Sequence, residues 1–164
     1  MIFPGQSNDE LAEIITTEEL LLTAQTIAQL QLPNGMIPWF PHGHCDPWNH
    51  VETAMALDIM GMHDHAQRAY SWLADIQRVD GSWHNYYMPD GTLEDAKLDT
   101  NVCAYIATGI WHHYLITRDE AFIRMMWPTV KRALTWVLGM RKDDGTILWA
   151  CETDSRPWDY SLLT

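Results

Sequence analysis

Carboxylate side chains are concentrated in, or directly beside, three parts of the sequence that show no helical pattern. They are Asp46, Glu52, Glu94, Asp95, Asp99, Glu152, Asp154 and Asp159. Two carboxylates held across a cleft can act as general acid and general base, because burial or a neighbouring like charge raises the pKa of one of them. Glu152 is the first candidate for the acid, since it follows Trp149 in an otherwise apolar stretch, and Asp46 and Asp99 are the other catalytic candidates. Both aspartates also suit the N-cap of a following helix, which is a purely structural role.

Tryptophan is abnormally frequent, with nine residues in a chain of 164. Trp72 and Trp136 fall within helical patterns and are interpreted as packing residues. Indole rings that border the loops can instead stack on sugar faces or stabilise a carbocation through the negative face of the ring. The candidate substrate-binding residues are Trp39, Trp48, Trp149 and Trp158, with His50 and Asn101 as polar contacts.

Potential metal ligands are dense in and after the first loop, at His42, His44, Cys45, Asp46 and His50. Their alternation can place the imidazoles of His42 and His44 on one side of an extended loop, so a soft-metal site is one interpretation. The spacing matches no established zinc pattern, however, and neutral histidines near carboxylates also suit a sugar-binding or pH-sensitive loop. We therefore expect no metal site.

The composition, with 47% hydrophobic and 20% charged residues, is that of one globular domain. A net charge of -12 would repel a phosphate backbone, so nucleic acid is not an expected partner. The longest charge-free apolar stretch, residues 102–111, is too short to cross a bilayer, and residues 1–6 lack the pattern of a signal peptide. The three cysteines lack CxxC spacing, which predicts reduced thiols. These features predict a cytoplasmic protein without an integral membrane segment.

Three turns that end at Gly35, Gly81 and Gly145 share the residue types before them, which indicates an internal repeat. An apolar residue stands five positions before each glycine, and a long polar residue stands four positions before it. The long polar residues are Gln31, Gln77 and Arg141. Segments 68–73 and 132–137 also share Arg, Ala and Trp at the same offsets, and a Pro-Trp pair follows the first and third glycines by twelve residues.

These anchors predict a series of helices and no convincing strand. Helices are expected from Thr16 to Leu32, from Asp46 to Gly61, from Asp64 to Gln77, from Asp99 or Thr100 to Thr117, and from Asp119 to Met140 with an interruption at Pro128. Another helix is expected to begin at Pro157 and to continue at the end of the chain. Loops 39–47, 83–98 and 149–157 hold equivalent places in the repeat. We therefore expect them to open together on one face, where function would lie.

The segment from Arg68 to Trp83 reads R-A-x-x-W-L-x-x-x-Q-x-x-x-G-x-W. It resembles the QW motif of squalene cyclases and related prenyltransferase-type α/α toroids at every fixed position, and residues 132–147 and 26–37 resemble weaker copies. The resemblance implies an all-α fold, an α/α toroid of helical hairpins. It also implies that Gln77 caps a helix end and that Trp83 ties neighbouring hairpins together.

The wider sequence from residue 17 onward is similar to bacterial prenyltransferase-like proteins, with Asp46-Pro47-Trp48 and Asp99-Thr100-Asn101 among the shared residues. This similarity implies an isoprenoid substrate, and Mg²⁺ as cofactor if that substrate is a prenyl diphosphate. No other cofactor is expected. The sequence lacks the DxDD and DDxxD motifs of the catalytic members of that group.

A second resemblance is to six-hairpin glycosidases, which place acidic and aromatic residues in the mouth of a helical ring. The glucoamylase-like group carries a Trp-Glu acid after a turn, whereas here Ala150 follows Trp149 and the acid comes two residues later, at Glu152. We therefore expect a prenyltransferase-like toroid protein acting on a small molecule, with catalysis left open. The alternatives are a glycosidase-like carbohydrate-active protein and a non-catalytic binding scaffold.

A closed ring of six hairpins would need about 240 residues at about 40 residues per hairpin. The chain has 164. We expect residues 17–164 to form a partial toroid domain that is truncated at its C-terminus, and residues 1–16 to form an N-terminal extension.

Overall fold

The structure, a computed structural model, describes residues 15–153 and the backbone of residues 162–163. Its helices are α1 (Thr17–Leu30), α2 (Pro47–Ile59), α3 (His63–Ile76), α4 (Thr100–Thr117) and α5 (Glu120–Gly139). α2 packs most extensively on α4, while α1, α3 and α5 lie on the outside of this pair. The result is a curved double layer of helical hairpins. None of the helices in the described part of the chain is long and apolar enough to span a membrane.

Local sequence explains where the helices begin. Thr16 and Glu19 form a capping box at the start of α1, as expected. Asp46 caps α2 through its side chain, with Pro47 in the first turn. The expected interruption at Pro128 is wrong, because α5 continues through the proline. Buried side chains of α5 lie on both sides of Pro128 along one face, so packing outweighs the loss of one backbone hydrogen bond.

The glycine turns dock each hairpin on the next outer helix. Gly35 and Gly81 both have φ of +98°, a conformation that favours glycine. A Cβ atom at Gly35 would lie 2.3 Å from the Arg68 carbonyl oxygen, and one at Gly81 would lie 2.5 Å from the Arg132 carbonyl oxygen. Arg68 and Arg132 are equivalent residues of the repeat, so the internal duplication read from the sequence is confirmed in three dimensions.

The glutamines of the repeat bind the backbone of neighbouring helices. The helix-end cap that the resemblance implied for Gln77 is wrong, because the carbonyl that Gln77 binds lies in the middle of α5. Gln31 Nε2 donates to the His65 carbonyl oxygen at 2.9 Å, near the start of α3. Gln77 Nε2 donates to the Thr129 carbonyl oxygen of α5 at 3.0 Å. Both amides also close their own glycine turns, through bonds to the Gly35 and Gly81 carbonyls.

Trp83 is fully buried within the hairpin layer, and its Nε1 donates to the Leu73 carbonyl oxygen at 2.8 Å. The ring therefore packs between helices and does not face the open side of the layer. This position agrees with the structural role that the resemblance implied for it.

Short strands, which the sequence analysis did not predict, join the loops to one another. The strands are β1 (Tyr86–Tyr87), β2 (Leu93–Asp95), β3 (Leu98–Asp99), β4 (Ile147–Leu148), β5 (Ala150–Cys151) and β6 (Leu162–Leu163). β1 and β2 form a hairpin, and β3 pairs with β5. A bridge between Cys45 and Tyr87 connects the first loop to the second.

The backbone of β6 pairs with β4, so residues 162–163 are extended and the helix expected to continue at the end of the chain is wrong at that point. The Pro157-Trp158 pair on which that expectation depended lies outside the described residues.

Candidate functional site

The described parts of the three loops meet on one side of the helical layer, as expected. The first and second loops meet through the bridge between Cys45 and Tyr87, and the second and third meet where β3 pairs with β5. We call this surface, formed by residues 39–47, 83–99 and 149–153, the rim. The candidate site is built on it.

Asp46 is the most constrained carboxylate of the rim. Its Oδ1 accepts from the backbone N–H of Asn49 at 2.9 Å, which is the N-cap bond of α2. Its Oδ2 accepts from Trp39 Nε1 at 2.7 Å and from Asn49 Nδ2 at 2.9 Å. Asp46 is 5% exposed, whereas Trp39 is 48% exposed. The arrangement joins a fixed carboxylate to an accessible aromatic ring, and an open pocket of about 290 Å³ lies beside them, lined by Trp39, Asn49 and Thr53.

Asp99 occupies the N-cap position of α4 but makes no side-chain capping bond. Its Oδ2 accepts from Asn85 Nδ2 at 3.0 Å and lies 3.4 Å from Lys97 Nζ. Asp99 is 7% exposed. The carboxylate is thus turned towards the second loop and away from the end of its own helix.

Tyr86 is close enough to both aspartates for their charges to act on its phenol. Burial raises the pKa of its phenol, and the negative charges of Asp46, Asp95 and Asp99 raise it further, while Lys97 acts in the opposite direction. The Tyr86 ring is 5.9 Å from that of Trp39, edge to face. Residues of the first and second loops therefore share one polar, aromatic surface.

His44 adds an imidazole to this surface. Its Nδ1 is hydrogen-bonded to Glu94 Oε2 of β2. Its ring lies 4.8 Å from Trp39 and 4.6 Å from Tyr86, measured between ring centroids. The His44–Glu94 pair fixes the first loop to the β1–β2 hairpin.

Two other predicted aromatic residues also have fixed orientations. Trp149 is 38% exposed, and its Nε1 donates to Asn101 Oδ1 at 2.7 Å. Trp48 stacks on Tyr105 with ring centroids 4.2 Å apart and an interplanar angle of 4°. The Tyr105 hydroxyl donates to Glu52 Oε1 at 3.1 Å, and burial and then this carboxylate raise the pKa of the phenol.

His50 does not lie in the site, and this corrects its assignment as a substrate contact. It is 1% exposed, its Nδ1 accepts from the Ile37 N–H at 3.3 Å, and its Nε2 donates to the Ala69 carbonyl oxygen at 3.0 Å. Burial lowers the pKa of the imidazole to about 4, so it is neutral at pH 7. Both ring nitrogens are used by the backbone, and the role of His50 is structural.

The remaining candidates from the sequence are Glu152 and Trp158. Glu152 is partly exposed at the end of β5, where the antiparallel register after Leu98–Cys151 places it opposite Lys97. Trp158 lies outside the described residues. In the described part of the chain, no three His, Cys, Asp or Glu side chains converge as metal ligands.

Sequence reasoning missed Asn85, Tyr86 and Tyr105. The first two enter the site because β1 pairs with Cys45 and β2, and strands of two or three residues are too short to show an alternating pattern. The spacing of Trp48 and Tyr105 carries no local signal, since they meet only because α2 packs on α4.

No protein-family model matches the chain. Among curated proteins, it is 46% identical over 151 residues to an MMP endo-(1,4)-3-O-methyl-alpha-D-mannosidase of Mycolicibacterium hassiacum, an alignment that covers 92% of this chain and 42% of that protein. Among solved structures, it is similar to a D-mannose isomerase, with a TM-score of 0.66 and 16% identity over 89% of this chain and 46% of that one. It is also similar to a cellobiose 2-epimerase from Bacillus thermoamylovorans B4167, with a TM-score of 0.66 and 16% identity over 93% of this chain and 44% of that one.

The similarity to these structures confirms the α/α-toroid fold. The chain spans about two fifths of the length of the mannosidase. None of these proteins is named for isoprenoid chemistry. The comparisons therefore support the six-hairpin glycosidase-like alternative and give no support to the prenyltransferase-like interpretation.

Proposed function

We propose that this chain forms part of a carbohydrate-active α/α toroid and that its rim binds an α-linked mannoside. The observation that carries the proposal is the 46% identity to an endo-mannosidase over 151 residues. A stretch of that length in a chain of 164 residues necessarily includes the first two rim loops. Asp46 and Asp99 are therefore within the similar region, along with the helical scaffold.

The chemistry of the rim suits this ligand class. Sugars present apolar faces to aromatic rings and hydroxyl groups to carboxylates and amides. Trp39, Trp149 and the stacked Trp48–Tyr105 pair supply the rings, while Asp46 and Asp99 supply the carboxylates. A prenyl diphosphate would instead require several cations, and the acidic charge of -12 opposes it. A mannoside needs no Mg²⁺ or other cofactor for hydrolysis.

We further propose that Asp46 is one of the two catalytic carboxylates of a glycoside hydrolase. Hydrolysis of a glycosidic bond requires one group to protonate the leaving oxygen and a second to activate water or attack the anomeric carbon. The bonds from Trp39 and Asn49 hold Asp46 in one orientation beside the open pocket. Glu152, on the third loop, is the candidate in this chain for the second carboxylate.

The test is a binding and hydrolysis assay on this protein. A 3-O-methylated α-(1→4)-linked mannose oligosaccharide should quench tryptophan fluorescence without added metal. A maltose oligosaccharide of the same length and geranylgeranyl diphosphate with Mg²⁺ are the comparison ligands. Asp46→Asn keeps the shape of the side chain, and its amide oxygen can still accept from Trp39 Nε1 and Asn49 Nδ2 at the loss of the N-cap bond. Binding should therefore remain, and hydrolysis should be abolished.

The matched control is Asp95→Asn, which removes the same charge from the same rim without touching the Trp39 contact. It should retain hydrolysis. Stronger binding of the prenyl diphosphate than of the mannoside would refute the proposal, and unchanged hydrolysis in Asp46→Asn would refute the role of Asp46.

A further inference from the structure

Two buried oxygen atoms of the rim have no hydrogen-bond donor. Asn85 and Asp99 are 6% and 7% exposed, and the amide of Asn85 donates from Nδ2 to Asp99 Oδ2. Within the described residues, Asn85 Oδ1 and Asp99 Oδ1 accept from no other group. A buried acceptor without a donor is costly, so such atoms are rare unless a water molecule or ligand completes them.

The orientation of Asp99 is not that of an ordinary helix cap. Asp46 holds the equivalent position at α2 and accepts from the backbone N–H of Asn49. Asp99 also has extended backbone dihedrals at its N-cap position, φ -110° and ψ 127°, but its carboxylate makes no capping bond. The carboxylate instead contacts Asn85 and Lys97, at the loss of the capping interaction.

The two atoms lie beside aromatic groups of the candidate site. Asp99 pairs through its backbone with Ala150, the residue after Trp149. The Trp149 indole is held by Asn101, two residues after Asp99. Tyr86, next to Asn85, is close enough to Asp99 to be affected by its charge. The unpaired acceptors are therefore part of the rim and not of the helical core.

The missing group must be a donor. Two acceptor oxygens in an acidic surface would repel a phosphate or carboxylate. Ca²⁺ takes six to eight oxygen ligands, and no group of potential metal ligands is found in the described part of the chain. A pair of hydroxyl groups on one sugar ring satisfies both acceptors without further ligands.

We propose that Asn85 Oδ1 and Asp99 Oδ1 accept hydrogen bonds from two hydroxyl groups of the bound sugar, and that this pair selects which sugar the rim accepts. The inference rests on the proposed function, because it assumes a carbohydrate ligand. It assigns to Asp99 a binding role in place of the catalytic role considered from the sequence.

The experiment compares binding of methyl α-D-mannopyranoside with that of its monodeoxy analogues, measured by ligand-observed NMR titration. In the wild-type protein, two of the analogues should bind about tenfold more weakly, because each leaves one buried acceptor unpaired. In Asn85→Ala, one of these two analogues should bind as well as the parent sugar. Asp99→Asn, which conserves size, should remove the discrimination at the other hydroxyl.

Asn101→Ala is the matched control. It releases Trp149 without touching the two acceptors. It should therefore weaken the binding of all the sugars by a similar factor and keep the ratios between their affinities. Near-UV circular dichroism of each variant establishes that the rim aromatic residues remain ordered. If Asn85→Ala alone loses its fold, Asp99→Asn still tests the proposal.

The outcomes separate this inference from the function it rests on. Binding of the parent mannoside with no loss for any analogue would show that water completes the two acceptors, and would overturn the inference alone. Unchanged ratios in Asn85→Ala and Asp99→Asn would overturn it too. A wild-type protein that binds no mannoside would refute the proposed function and this inference with it.

Discussion

Gly81→Ala and Gly145→Ala form a matched pair that tests how the hairpins dock. Both glycines have positive φ, +98° and +90°, so each substitution costs roughly 1–2 kcal/mol in backbone strain. A Cβ at Gly81 would also lie 2.5 Å from the carbonyl oxygen of Arg132 and 2.7 Å from its carbonyl carbon. Near Gly145 the only neighbour within 4 Å, among the described residues, is the end of the flexible Arg141 side chain at 3.6 Å.

The clash at Gly81 is with backbone, which cannot move away as a side chain can. Overpacking of this kind costs about 1–3 kcal/mol, so Gly81→Ala should lose that much more stability than Gly145→Ala. At about 2–4 °C per kcal/mol, the difference in Tm should be about 2–12 °C. Gly35→Ala should behave like Gly81→Ala, because its Cβ would lie 2.3 Å from the Arg68 carbonyl oxygen.

Calorimetry of the three variants and the wild-type protein measures these shifts, and urea unfolding gives the same order independently. Equal losses at Gly81 and Gly145 would show that only backbone strain matters, and the docking of each turn on the next outer helix would then be refuted. A larger loss of stability in Gly145→Ala than in Gly81→Ala would also refute this docking.

Three other predictions follow from buried groups. Trp83→Ala should lower the free energy of unfolding by about 3–5 kcal/mol, measured by urea unfolding. Trp111→Ala, at a site that is 56% exposed, should lower it by only about 0.5 kcal/mol. Similar losses in the two variants would contradict the packing role of Trp83. Because burial lowers the folded-state pKa of His50 to about 4, the unfolded chain binds that proton at higher pH. The free energy of unfolding should therefore fall by up to about 3 kcal/mol from pH 7 to pH 4 through this group. His50→Gln should remove that part of the pH dependence of stability. If the free energy of unfolding of this variant depends on pH as in the wild-type protein, the prediction for His50 is wrong. Burial raises the pKa of the Cys103 thiol to about 12 and that of the Cys45 thiol well above its ordinary value. Neither thiol should therefore react with a thiol reagent at pH 8 before the protein unfolds. Rapid labelling of the native protein would show that these thiols are accessible.

The helical framework could be predicted because its signals are local. Thr16 and Glu19 start α1 by contacts within one turn, and Asp46 with Pro47 starts α2 in the same way. The repeat could be recognised because Gln31 and Gln77 make the same contact in successive hairpins.

The QW resemblance was informative about packing and misleading about chemistry. Gln77 binds the backbone of α5 and the Trp83 ring is buried among helices, so both side chains report how the hairpins dock. A motif of this kind indicates the fold and leaves the reaction undetermined.

Half of the site could be read from the sequence, namely the residues whose environment follows from their own loop. Trp39 and Asp46 are seven positions apart in one loop and bond directly. The positions of Asn85 and Tyr86 in the site depend on strand pairing between loops, and strands this short leave no recognisable pattern in the sequence. His50 was misplaced because a histidine in the first turn of a helix looks the same in sequence whether it faces solvent or, as here, the Ala69 carbonyl.

The tip of the β1–β2 hairpin has a consequence for how such a protein can diversify. Residues 88–92 form a turn whose last three residues are exposed, and no atom of the described residues lies within 4 Å of a Cβ position at Gly91. Thr92 is held by local bonds, from its N–H and hydroxyl to Asp90 Oδ1 and from the Met88 N–H to its carbonyl oxygen. The fixed contacts of the hairpin, Cys45 with Tyr87 and His44 with Glu94, lie on its arms. Insertions at the tip would therefore lengthen the hairpin beside the rim at the small entropic cost of a longer loop. The length of this tip can therefore change between related proteins while the contacts on the two arms of the hairpin stay in place.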